Sequence, residues 1–119
     1  MAKQILHVDD EEGWRSLVAE SLVAAGYEVI SAANATEAMA CAESADLGLI
    51  ILDLNLGGEN GMMLMKFLKH NYPDAPVLIY SGLDNDDAAI RQMMEQGGDQ
   101  YLQKGDLAEL IVTVARYLS

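Results

Sequence analysis

At 119 residues and 51% hydrophobic, the chain can bury a substantial core, and its length suits one domain, 1–119, better than two. A formal net charge of −12 argues against direct nucleic-acid binding, which draws most of its affinity from Lys and Arg displacing counterions. One cysteine, Cys41, excludes an internal disulfide framework, and two widely spaced histidines offer no zinc-type ligand set. The opening MAKQILHVDD lacks a signal-peptide apolar run, and no segment approaches the ~20 apolar residues of a membrane span. The expectation is a soluble cytoplasmic domain with no membrane attachment.

In chain order, short apolar runs alternate with segments of helical period, the rhythm of repeated strand–helix units and a parallel sheet. Strands are expected at 5–8, 29–32, 49–52, 77–80 and 100–103. Leu49, Ile50, Ile51 and Leu52 form a continuous apolar run that suggests burial on both faces and a central position. Between the first two strands, Trp14, Leu17, Val18 and Leu22 recur at helical spacing, and Gly26 follows as a helix stop. Asn34 and Glu37 form a capping pattern opening a second helix through about Ala45. A third helix covers 61–70, with Met62, Leu64, Met65 and Leu68 as its apolar positions, a fourth 86–96, and a fifth 106–118 with Asp106 and Glu109 repeating the capping pattern. No internal repeat or low-complexity tract interrupts this order. The architecture expected is a three-layer α/β sandwich, in which ligands collect outside the carboxyl ends of the strands.

The polar residues at those strand ends form a chemically coherent set. The first strand ends at Asp9 and Asp10, the third at Asp53, the fourth at Ser81 and the fifth at Lys104. Converging carboxylates without nearby histidine or thiol make a hard oxygen site suited to Mg²⁺. With its neighbours neutralised, Asp53 becomes a candidate nucleophile toward a phosphoryl group, whose oxygens Ser81 and Lys104 could bind.

On these residues the chain resembles the response-regulator receiver domains of two-component signalling, the CheY-like partners of sensor histidine kinases, and the resemblance runs the whole length. The acidic pair Asp9–Asp10, the acceptor Asp53, Ser81, Lys104, a glycine before the third helix (Gly61) and an aromatic three before the lysine (Tyr101) match the family pattern. The resemblance implies a doubly wound five-stranded parallel sheet of order 2-1-3-4-5 with five helices. It implies Mg²⁺ held by Asp9 through a bound water, by Asp10 and Asp53, and by the backbone carbonyl of Asn55. Asp53, Ser81 and Lys104 become the phosphoryl-transfer residues, and Ser81 and Tyr101 the switch. The partners implied are a sensor histidine kinase or phosphotransfer protein and an output domain or downstream protein reading the face formed by the fourth helix, fifth strand and fifth helix. Homodimerisation is compatible with it. Such a domain is not an enzyme beyond its own phosphorylation and slow dephosphorylation.

Two positions depart from the pattern, and two more bear on phosphate lifetime. Gly105 stands where receivers usually carry proline after the lysine; a cis bond there would cost ~2.5 to 4 kcal/mol, and Lys104 is expected to be held less rigidly. Gly57, also in place of a common proline, suggests a mobile loop after Asp53. Leu83 and Asn55 are expected to tune phosphate lifetime.

The remaining marked residues have ordinary explanations. His7 is expected to be a satisfied core histidine, Cys41 a small helix hydrophobe, and the methionines 62, 63, 65, 93 and 94 mostly gap-filling core. Glu11 and Glu12 suit a solvated first helical turn. The alternative function is a degenerate receiver that binds protein partners without phosphate. A haloacid-dehalogenase-type phosphatase would want a second Asp where Asn55 stands, and a flavin carrier a phosphate-binding loop where Asp9, Asp10, Glu11 and Glu12 lie.

Overall fold

The computed structural model describes residues 3–56, 59–82 and 87–118. Five strands, β1 (Gln4–Val8), β2 (Glu28–Ala32), β3 (Leu47–Leu52), β4 (Val77–Ser81) and β5 (Gln100–Gln103), alternate with five helices. These are α1 (Glu12–Ala24), α2 (Ala35–Glu43), α3 (Gly61–Asn71), α4 (Asp87–Gln96) and α5 (Leu107–Leu118). The strands pair in parallel in the order β2-β1-β3-β4-β5, the arrangement expected from sequence.

All six residues of β3 are buried, as a central strand covered on both faces requires. Strand alternation divides the core into two layers. Ile5, Leu49, Ile51, Leu78 and Tyr80 pack with Val18 and Leu22 of α1 and Leu110 and Val114 of α5. Leu6, Val8, Ile50, Leu52, Val77 and Ile79 pack with Ala38 and Ala42 of α2, Leu64, Met65 and Leu68 of α3, and Met93 of α4.

Local signals set the helix ends. The Asn34 side chain accepts from the Glu37 amide at 2.9 Å, while the Glu37 carboxylate accepts from the Ala33 amide at 2.9 Å. The second helix opens on this cap at Ala35 and closes at Glu43, two residues before the expected end. Asp106 caps α5 by accepting from the Glu109 amide at 3.0 Å. Gly26, at φ +101°, turns the chain out of α1 through the left-handed region that glycine enters freely.

Two expectations are corrected. Residues Asn55–Leu56 pair antiparallel with Glu59–Asn60, and Leu56 is buried in the core, so part of the stretch after Asp53 expected to be a mobile loop is tied to the body. Gly57 itself, Leu83 and the expected helix start at Asp86 lie outside the described residues. Met63 is 67% exposed and fills no gap, because it lies on the solvent side of α3 beside Phe67, while Met65 points inward.

Candidate functional site

Three of the expected side chains sit one residue beyond a strand end, with their own amides still held by the neighbouring strand. The Asp9 amide donates to Ala32 O at 3.1 Å, the Asp53 amide to Val8 O at 3.0 Å, and the Lys104 amide to Ser81 O at 2.7 Å. Ser81 is the last residue of β4 and is fully buried. The sheet therefore delivers all four side chains to one edge on rigid backbone. Arg15 adds a tie from α1, donating through Nη1 to Asp9 O at 2.8 Å.

At the centre is Asp53, 3% exposed. Its Oδ1 accepts from Ser81 Oγ at 2.7 Å and its Oδ2 from Lys104 Nζ at 2.8 Å. The same ammonium lies 2.7 Å from Asp9 Oδ2 and 3.5 Å from Glu11 Oε1. Asp9 Oδ1 accepts from the Glu11 amide at 2.9 Å. Burial raises the Asp9 carboxyl above its ordinary value, and the bonds from Lys104 and the Glu11 amide counter only part of this. Burial would lower the Lys104 ammonium, but the carboxylates of Asp53 and Asp9 outweigh it and hold its pKa up. The lysine is therefore firmly charged and anchored by three acids. The loosening expected from Gly105 is not found: the Lys104–Gly105 bond is trans, and Gly105 takes φ +126°.

Carboxylate oxygens of Asp9, Asp10, Glu11 and Asp53 lie within 4.8 Å of one another. Such a set fits a hard divalent cation: the ligands are all oxygen, two are buried and two exposed, which leaves room for retained waters. Glu11 was not expected here. It is the residue preceding α1, and the turn that its amide makes onto Asp9 carries its side chain toward the cluster. An acid following Asp9–Asp10 was the available signal, and it fitted a solvated turn equally well. Asn55 lies two residues beyond Asp53, at the start of the short pairing with Glu59–Asn60, and its side chain lies outside the described residues.

Tyr101 stands apart from this cluster. It is half-buried and packs against the core layer that contains α3 and α4. Burial raises its hydroxyl pKa, and the charges of Asp53 and Asp87 add to the effect. His7, only 1% exposed, is buried as expected but not satisfied, because its Nδ1 has no hydrogen-bond partner among the described residues. Burial, and then the charge of Lys104, lower its pKa from 6.5 to about 4, leaving a neutral imidazole in the core. No helix among the described residues is long and apolar enough to cross a membrane.

The family model of the response regulator receiver domain matches residues 5–115. The DNA-binding transcriptional regulator NtrC of Bradyrhizobium is 34% identical over 119 residues, covering 99% of this chain and 25% of that protein. The receiver domain of NtrX from Brucella abortus superimposes with a TM-score of 0.87 at 32% identity, covering 96% of this chain and 97% of the other. The chemotaxis protein CheY4 of Vibrio cholerae does so at 0.90 and 29%, covering 99% and 100%. The chain spans 25% of FleR from Pseudomonas aeruginosa and 21% of an NtrX-like regulator from Rickettsia felis, two further curated relatives. By its sequence and by its fold, the chain belongs to the response regulator receiver domain family of two-component systems.

Proposed function

We propose that the chain takes a phosphoryl group onto Asp53 from the phosphohistidine of a sensor histidine kinase or phosphotransfer protein. One carboxylate oxygen of Asp53 attacks phosphorus, the P–N bond to the donor imidazole breaks, and its electron pair returns to the ring nitrogen. The observation that carries this reading is the double engagement of Asp53, by Ser81 on one oxygen and Lys104 on the other, inside a cluster of three further acids. A donor hydroxyl and an ammonium already aimed at the nucleophile can follow the incoming phosphoryl oxygens with little reorganisation, and this is where catalysis of such transfers resides. Mg²⁺ held by Asp9, Asp10, Asp53 and the Asn55 carbonyl, with Glu11 beside it, would neutralise the mutual repulsion of the acids and the charge of the phosphoryl oxygens.

The domain acts as a switch more than a turnover enzyme, since its product is its own acyl phosphate, which water later cleaves. Phosphate on Asp53 requires Ser81 to exchange its 2.7 Å bond to the carboxylate for one to a phosphoryl oxygen. That shift passes to Tyr101 and the α4–β5–α5 face, which a partner or output domain reads. Cytoplasmic placement, where kinase and magnesium are at hand, belongs to the same reading.

Incubation with acetyl phosphate and Mg²⁺, followed by intact mass, tests the proposal. A single phosphate adduct is expected, lost in Asp53→Asn and in EDTA. No adduct on the wild-type chain would overturn the reading in favour of a phosphate-independent binding module.

A further inference from the structure

The chemistry above uses one backbone group, the Asn55 carbonyl, and the short antiparallel ribbon after Asp53 determines how that group is held. Asn55 pairs with Asn60, and Leu56 with Glu59. Only two residues separate Leu56 from Glu59, so this pair closes the ribbon and exchanges both of its backbone hydrogen bonds. Antiparallel ladders alternate, which makes Asn55 and Asn60 the non-bonded pair, with the N–H and C=O of Asn55 turned out of the ribbon. A carbonyl that the ladder leaves unclaimed is the kind of oxygen that a hard cation takes.

Both chain neighbours of Asn55 are fastened to the body. Leu56 is 2% exposed and belongs to the core layer that contains α2, α3 and α4, and Leu54 packs against the same layer. The returning arm runs straight into α3 at Gly61. Continuing the register sets Gly61 across from Leu54, and a Cβ on Gly61 would lie 2.8 Å from Leu54 O. The two arms therefore meet backbone to backbone at the end nearest Asp53. A ribbon of two residue pairs is too short to hold itself closed in water. The buried Leu56 side chain is what ties it down.

Resting on the reading of Asn55 as a metal ligand, we propose that Leu56 is a positioning residue for Mg²⁺. Its burial keeps the ribbon closed, and the closed ribbon holds the Asn55 carbonyl in one place beside the carboxylates. The same device gives selectivity. Mg²⁺ demands near-ideal octahedral geometry, whereas Ca²⁺ accepts larger and less regular sets of oxygens. A loosened carbonyl costs Mg²⁺ affinity and hardly affects Ca²⁺.

Leu56→Ala and the milder Leu56→Val are titrated with Mg²⁺ and with Ca²⁺ by calorimetry. Leu68→Ala, a fully buried leucine of α3 in the same core layer, is the packing control. Leu56→Ala should lose about tenfold in Mg²⁺ affinity and about twofold or less in Ca²⁺ affinity, with Leu56→Val losing about threefold in Mg²⁺. Leu68→Ala should lose stability and keep both affinities. In ¹³C-labelled metal-free protein, the Asn55 carbonyl resonance should move in the Leu56 variants and stay in place in Leu68→Ala. Should Leu56→Ala fail to fold, Leu56→Val carries the same readouts. Wild-type Mg²⁺ to Ca²⁺ selectivity in the folded Leu56 variants overturns the proposal, as does an equal loss of Mg²⁺ affinity in Leu68→Ala, which marks a general loosening of the core. These titrations involve no phosphoryl transfer. A wild-type chain that binds Mg²⁺ but forms no adduct counts against the phosphoacceptor reading alone, and one that binds no Mg²⁺ overturns both.

Discussion

The Lys104 ammonium, on the turn after β5, lies 2.8 Å from Asp53 Oδ2 at the end of β3, and the same nitrogen lies 2.7 Å from Asp9 Oδ2. One cation, its side chain 11% exposed, thus holds two carboxylates that are 4% and 0% exposed. Removing one partner of such a buried set leaves charge without compensation, at a cost of about 3 kcal/mol or more. Lys104→Met is therefore expected to lower the urea midpoint in EDTA, to regain much of it when Mg²⁺ is added, and to form adduct at least about tenfold more slowly. Asp53→Asn, which leaves Lys104 paired with Asp9, should be at least as stable as wild type in EDTA. A Lys104→Met chain with wild-type stability in EDTA would contradict the arrangement.

The acidic cluster separates into a buried pair and an exposed pair, and the exposed members should matter unequally for Mg²⁺. The Glu11 side chain is 68% exposed and shares the lysine at only 3.5 Å. Glu11→Gln should weaken Mg²⁺ binding about two- to fivefold, the scale of a screened surface charge, with the effect shrinking at high salt. Asp10→Asn, if Asp10 is a direct ligand, should weaken it by about tenfold or more. Titration calorimetry distinguishes them; equal losses would place Glu11 among the direct ligands.

The neutral buried His7 makes stability depend on pH in the metal-free protein. Its folded pKa, about 4, lies below the unfolded 6.5. The unfolded chain therefore binds the extra proton between those values. The contribution is present above pH 6.5 and is lost progressively as pH falls toward 4. At about 1.4 kcal/mol for each tenfold change in proton affinity, the loss is about 3 kcal/mol. Asp9 opposes it: its folded pKa is raised, so its burial costs stability at neutral pH and the cost is relieved as pH falls through that raised value. Urea melts in EDTA should show a net fall toward pH 4, and His7→Leu should remove most of it or reverse its sign. An unchanged slope in the variant would place the titration elsewhere.

Two glycines should respond in opposite directions to alanine. A Cβ on Gly61 would lie 2.8 Å from Leu54 O and 3.3 Å from Asp53 O, both backbone atoms that cannot swing aside. Gly61→Ala should cost about 1–3 kcal/mol and slow phosphorylation by moving the Asp53–Leu54 peptide. Gly13 lies exposed inside α1 with nothing within 4 Å of its Cβ position. Gly13→Ala should stabilise by about 0.5–1 kcal/mol, through helix propensity alone. Thermal melts of the two variants are the check.

Much of the molecule was legible without coordinates because its signals are local. The apolar run 49–52 marks the central strand, the Asn34 and Asp106 caps place α2 and α5, and strand ends that turn polar at Asp9, Asp53, Ser81 and Lys104 mark one functional edge. Those features depend on side-chain period and on residues a few positions apart, which the chain carries on its face. What depended on packing between distant segments was not legible. The Glu11 carboxylate joins the cluster because the start of α1 turns it toward Asp9, and Nδ1 of His7 is stranded because no group among the described residues packed around β1 bonds it. Leu56 is drawn into the core by a two-residue pairing, and Lys104 is held after a glycine because three acids from other elements meet it there. Sequence alone determined which residues face the same edge of the sheet. The angstrom distances among them, and hence which proton, cation or hydroxyl each one answers to, were decided by how sheet and helices pack, a property of the whole chain that no local stretch encodes.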